Sequence, residues 1–140
     1  MLVKGKDLKS AIVQKIHTNF EDKVLDSEAK EDIKKPYFFV YFEHFERESY
    51  SNGNDKVVYS VVVQYQKSNK LKLMEIGEKL SEIFNYSLKL QDLYVLIENN
   101  SWDIEDNALY FTFDIGFYVD KIKNEIDYKL MNEIFMNYRR

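Results

Sequence analysis

From Leu109 to Val119 every second residue is large and apolar: Leu109, Phe111, Phe113, Ile115, Phe117 and Val119. The residues between them are Tyr110, Thr112, Asp114, Gly116 and Tyr118. A strand shows alternate residues to opposite faces, so this period of two predicts a strand with one buried face and one mixed face. Leu93, Val95 and Ile97 alternate in the same way with Tyr94, Leu96 and Glu98. Together the runs predict a hairpin over Leu93–Val119, joined across Asn99–Asn107 with the only Trp in the connection. Asp106-Asn107 supplies residues that tolerate the left-handed backbone of a tight turn.

The period changes elsewhere. Leu8, Ile12, Ile16 and Phe20 stand four apart, which places an apolar stripe on a helix from about Lys6 to Phe20. A polar stretch, Glu21–Lys35, contains Val24-Leu25 as a short edge strand and ends at Pro36. Tyr37–Phe42 follows as an aromatic strand without a wet face, which implies cover on both sides. Glu46–Asp55 is a charged approach to an Asn-Gly turn, read as a hairpin tip or longer loop, and Val57, Tyr59, Val61, Val63 and Tyr65 form the apolar face of the next strand. Ser68-Asn69 can cap a second helix whose stripe is Leu73, Ile76, Leu80 and Ile83/Phe84, where Gly77 permits close packing and Asn85 marks the end. Ile126, Leu130, Ile134 and Tyr138, joined by Met131 and Phe135, predict a C-terminal helix from Asn124 to Tyr138 or Arg139. The order helix-strand-strand-helix-strand-strand-helix gives an α+β domain in two layers, with an antiparallel sheet of about four strands and helices on one face. Residues 1–140 are expected to form a single domain.

Composition narrows the picture. Hydrophobic residues make up 45% and charged residues 31%, which excludes a disordered chain, and no apolar run approaches the roughly 20 residues needed to span a bilayer. Aromatic content is 16%, enough ring surface to suggest that part of it seals an interface between proteins. Cysteine is absent, so disulfides and thiolate metal sites are excluded, and the first residues lack the apolar core of a signal peptide. The chain is therefore expected to be made and used inside a cell. Its net charge is −4, with 20 basic residues dispersed among 24 acidic ones, which argues against a sequence-independent grip on nucleic acid.

Candidate chemistry is sparse. Gly occurs only at 5, 53, 77 and 116, so no phosphate-cradling loop can be drawn. His17 and His44 lack partners at ligand or triad spacing. Asp55 followed by Gln64-Tyr65-Gln66-Lys67 resembles the metal-binding arrangement of Mg²⁺-dependent nucleases, but an amide stands where a hard cation needs the second carboxylate. Asp103, Glu105 and Asp106 read as solvated turn formers. An RNA-binding sheet would need positive charge that is missing here. No catalytic residue, metal ligand or cofactor site is assigned.

Three landmarks in series carry a resemblance. Lys35-Pro36-Tyr37-Phe38-Phe39-Val40 follows the first helix, an alternating strand reaches Val61-Val62-Val63-Gln64-Tyr65, and Trp102-Asp103-Ile104-Glu105-Asp106-Asn107-Ala108-Leu109-Tyr110-Phe111 enters the last strand. This order, over roughly Leu8–Val119, resembles the tail terminator (tail-completion) family of phages and phage-tail-like bacteriocins. Asn107 stands where that family commonly has Gly, which asks Asn for positive φ, and Tyr37 replaces a smaller residue. The C-terminal helix is not part of the resemblance. The family likeness implies a non-enzymatic virion or tail component, assembled in the bacterial cytoplasm. It would form a ring, usually of six subunits, that caps the tail tube, ends its polymerisation and offers the joining surface toward the head. Implied partners are copies of itself, the tail tube protein, the sheath of a contractile tail and the head connector, with DNA passing only through the lumen and no membrane. Another head–tail connector or a sheath-associated protein is the alternative within the same machine. A ring closed by heterologous contacts needs two different adhesive surfaces per subunit. The candidates are Ser60, Val62, Gln64, Tyr110, Thr112, Asp114 and Tyr118 on the mixed sheet face, and Ile126, Leu130 and Ile134 on the C-terminal helix. Six copies would carry a charge of roughly −24, and like charge lining a lumen lets DNA slide.

Overall fold

The computed structural model describes residues 4–25, 35–49, 53–90 and 93–120. Helix α1 spans Gly5–Asn19, and its buried residues are the expected stripe Leu8, Ile12 and Ile16. The Lys4 N–H donates to the Asp7 carboxylate at 3.3 Å, which places a negative charge on the first turn where the helix dipole favours it. Helix α2 spans Lys70–Ile83, and Asn69 caps it by accepting from the Lys72 N–H at 2.9 Å.

The strands are β1 (Lys23–Leu25), β2 (Tyr37–Ser49), β3 (Asn54–Gln66), β4 (Ser87–Leu90), β5 (Leu93–Glu105) and β6 (Ala108–Asp120). They form one sheet in the order β1-β2-β3-β6-β5-β4. β1 runs parallel to β2, and every other pairing is antiparallel. β3 and β6 pair along their whole length, from Asn54↔Asp120 to Gln66↔Ala108. Both helices lie on one face. α2 packs on β5 and β6, while α1 touches β1 and β2 at one edge and β4 at the other, which requires the sheet to curl around it. The core between them contains Phe38, Val61, Val63, Leu109, Phe111, Phe113 and Ile115 from the middle strands.

The sheet thus corrects the expected antiparallel sheet of about four strands: among the described residues there are six, and the sheet is mixed. Val24-Leu25 is indeed an edge strand. β4 went unread because four residues, Ser87-Leu88-Lys89-Leu90, are too short to display a period, although Leu88 and Leu90 are buried. Over the described residues the order is α-β-β-β-α-β-β-β. The expected C-terminal helix lies outside the described residues.

Two bulges explain the remaining differences. Phe42 pairs with Val61 and His44 with Ser60, so β2 carries one extra residue there, and the strand continues through the stretch read as a charged approach to a turn. On β5, Glu98 pairs with Asp114 and Ser101 with Thr112, again one residue too many. Asn99 adopts φ 55° at this point. The hairpin therefore does not open at Asn99: β5 runs on to Glu105, and the turn is Asp106-Asn107 alone, both with positive φ (47° and 62°) as the tight turn demands. Trp102 is thus on a strand. The extra residue moves the inward positions from odd (Val95, Ile97) to even (Trp102, Ile104), so the indole reaches α2. A Cβ on Gly77 would sit 2.8 Å from the Trp102 ring, which is why that turn of helix accepts only Gly without movement. Asn100 points the same way: its amide donates to the carbonyls of Ser81 (3.2 Å) and Phe84 (3.0 Å), satisfying the end of α2.

Lys79 fastens α2 to α1. Its Nζ donates to the Asn19 carbonyl at 2.7 Å and lies 4.6 Å from the Phe20 ring centre. Lys15 Nζ lies 5.5 Å from the Phe84 ring centre, and burial lowers its pKa. Tyr65, buried against Phe38 with ring centres 4.7 Å apart, donates its hydroxyl to Asp22 at 3.2 Å. Burial first, then the Asp22 charge and this hydrogen bond, push the Tyr65 hydroxyl pKa up to about 12.

Candidate assembly surface

The face of the sheet turned away from the helices carries the alternate residues of every strand. Register places Tyr41, Val62 and Thr112 in one row, Phe39, Gln64 and Tyr110 in the next, and His44, Ser60 and Asp114 on the other side. All seven sheet candidates therefore share this outer face. Their environments differ sharply.

Val62 and Gln64, in the middle strand, are buried. The Gln64 amide donates to Tyr41 Oη at 3.2 Å and its oxygen accepts from the Gln66 amide at 2.9 Å. Phe39 and Tyr41 stand beside them with ring centres 5.2 Å apart. The Ser60 hydroxyl donates to Asp114 Oδ1 at 2.8 Å, and Asp114 Oδ2 accepts from the Asn99 amide at 3.5 Å. Ser101 and Thr112 share a hydrogen bond at 3.1 Å between their hydroxyls. These side-chain bonds link β2 to β3, β3 to β6 and β6 to β5. Of the seven, only Tyr118 is exposed, at 65%. Ile126, Leu130 and Ile134 lie outside the described residues.

The exposed apolar surface sits beside this network, at one corner. Of the eight exposed large hydrophobic residues among those described, Leu93, Tyr94, Leu96 and Tyr118 line one cleft of about 430 Å³, and Tyr86 precedes β4, which pairs with β5. The cleft exists because β5 joins β6 only from Leu96↔Gly116 onward, leaving the start of β5 and the end of β6 unpaired with each other. Gly116 forms its floor, with the Glu98 carboxylate and Lys56 Cε at 3.6 and 3.7 Å from where a Cβ would stand. Tyr94 and Leu96 were visible in the sequence as the alternate set of β5. Which end of that set stays open depends on the register between β5 and β6, and alternation carries no register.

The nuclease-like residues are not assembled. Asp55 is buried on the helix side of β3 and accepts from Arg47 Nε at 2.7 Å, whereas Gln64 and Gln66 face the opposite side. His17 is exposed in the last turn of α1, and His44 is exposed on the outer face. Among the described residues no group of three or more His, Asp or Glu could hold a metal ion, and no helix is long and apolar enough to cross a membrane.

A curled sheet closed on one side by its own helices, and offering networked polar and exposed aromatic groups on the other, is a scaffold that presents a surface. The chain belongs to the phage tail terminator family: the family model described as "Phage tail terminator protein" matches residues 7–127. Membership makes it a structural protein of phage tail assembly and a component of the tail. No curated protein matches the chain. Among solved structures, one chain matches at 14% identity over 89% of this chain and 100% of its own, with a TM-score of 0.45.

Proposed function

We propose that this protein closes the tail tube as an oligomeric ring, usually of six copies, ending tube polymerisation and forming the surface that joins the tail to its next component. The observation that carries the proposal is the family match over residues 7–127, nearly all of the described fold. The outer face supports it, because a ring subunit needs surface that its own core does not use. The protein acts by contact and catalyses no reaction; its partners are its own copies, the tube protein, and the sheath or head connector where the particle has one. DNA, where present, passes through a lumen whose acidic charge of −4 per chain keeps it from sticking. Assembly takes place in the bacterial cytoplasm. The same reading covers headed phages and headless, bacteriocin-like tails.

Two measurements test it. Light scattering coupled to size exclusion is expected to give about six times the 16.8 kDa of one chain, with rings in negative stain. Deleting the gene is expected to yield tails of uncontrolled length. A strict monomer at high concentration, together with tails of normal length in the deletion, overturns the proposal.

A further inference from the structure

The outer-face cleft has the makings of a socket. Tyr94 and Leu96, 63% and 51% exposed, stand beside Tyr118 over the Gly116 floor. Lys89 Nζ lies 5.9 Å from the Tyr94 ring centre on the β4 side, and Lys56 borders the β3 side. From Lys56 on β3 to Lys89 on β4 the patch with its flanking lysines crosses three strand spacings, about 14 Å. Exposed apolar surface gathered in this way on a domain whose core is already closed marks a contact site.

A candidate occupant begins at its rim. Val119 lines the cleft, and Asp120 ends β6. Residues 121–140 follow, and they carry Ile126, Leu130, Ile134 and Tyr138 four apart with Met131 and Phe135 alongside. Wound as the helix that this spacing predicts, the stripe Ile126–Tyr138 is about 18 Å long, enough to cross the patch from one flanking lysine to the other. The family model stops at residue 127, so most of this stripe lies beyond what family membership explains.

We propose that the cleft lined by Tyr94, Leu96 and Tyr118 receives the apolar stripe of residues 126–138 from a second copy of the chain. Each subunit then offers a socket and, from the neighbouring end of β6, a plug. Socket and plug are different surfaces, so the contact is heterologous and propagates head to tail until it closes. The inference rests on the ring reading and specifies what links the subunits.

Two variants separate the two ideas. Tyr94→Ser with Leu96→Asp spoils the socket at exposed positions; removal of residues 121–140, or Leu130→Asp with Ile134→Asp in the full chain, spoils the plug. Circular dichroism checks that each variant is folded, and light scattering reads the mass. The wild type is expected at the ring mass and each variant alone at the monomer mass. An equimolar mixture of socket and plug variants is expected to form a one-to-one pair at twice the monomer mass, because one intact socket and one intact plug remain between them. A wild-type ring with variants that also remain rings overturns the socket while leaving the ring reading intact. Monomeric variants that fail to pair on mixing also overturn it, since a chain that fills its own socket behaves in that way. A monomeric wild type removes the ring reading itself.

Discussion

Thr112 and Phe113 are neighbours in β6, yet they belong to different materials. Phe113 is buried and stacks on Phe84 of the helix layer, with ring centres 4.9 Å apart. Thr112 faces outward and shares a hydrogen bond with Ser101. Apart from the Arg47–Asp55 pair and Asn100, the inner face is mainly apolar, and α1 and α2 pack on it. The outer face alternates hydroxyls, amides and rings that satisfy one another, and ends in an exposed corner. The odd-numbered residues of β6 pack toward the helices, and the even-numbered ones face away from them.

The sharpest way to break this contrast is a matched pair of truncations. Phe113→Ala is expected to cost about 3–5 kcal/mol in urea unfolding, and Thr112→Ala no more than about 0.5 kcal/mol, because only the first leaves a cavity in a packed core. Equal losses would dissolve the distinction. Gly77→Ala tests how tightly the helix layer sits: the new methyl group meets Trp102 at 2.8 Å, so overpacking outweighs the better helix propensity, with a net loss of about 1–2 kcal/mol. A stabilised variant would show that the indole moves freely. Tyr65→Phe tests the hydroxyl that reaches Asp22 at the rim of the inner face, with about 1 kcal/mol expected near neutral pH.

The same residue predicts a pH dependence. The folded value of about 12 lies above the unfolded value near 10, so the unfolded chain releases this proton first. The contribution of Tyr65 is complete below about pH 10 and is lost as pH rises toward 12. Unfolding midpoints measured across that range should fall more steeply for the wild type than for Tyr65→Phe. Parallel slopes would remove Tyr65 as the cause. The smallest expected effect is a gain: Asn107→Gly relieves a non-glycine residue at φ 62° and should raise stability by about 0.5 kcal/mol, with the outer network unchanged by amide exchange.

Much of the inner face was legible in the sequence because burial imposes a period. The stripe of α1, the Asn69 cap, and the alternation of β3 and β6 stand where the pattern puts them. What the pattern missed are departures from it. Each bulge adds one residue and exchanges the faces of everything beyond it, so Trp102 reads as a turn residue until the extra position at Asn99-Asn100 is known. β4 is shorter than any usable window. The outer corner is hidden for another reason: Tyr94, Leu96 and Tyr118 lie on the two strands of the expected hairpin, but which of them stand together depends on the register, and alternation carries no register. The burial of Val62 and Gln64 is likewise a product of register and of the rings beside them.

The contact of α1 with both edges of the sheet has a kinetic consequence. Its apolar stripe, Leu8, Ile12 and Ile16, is synthesised before the strands it packs on, and one of its seats, β4, is made of residues 87–90. Closing so long a loop is slow compared with forming a hairpin, so α1, made before the sheet, is among the last elements to dock. Until Leu88 and Leu90 arrive, part of that stripe stays open to solvent and to other nascent chains, which exposes the helix to misassembly.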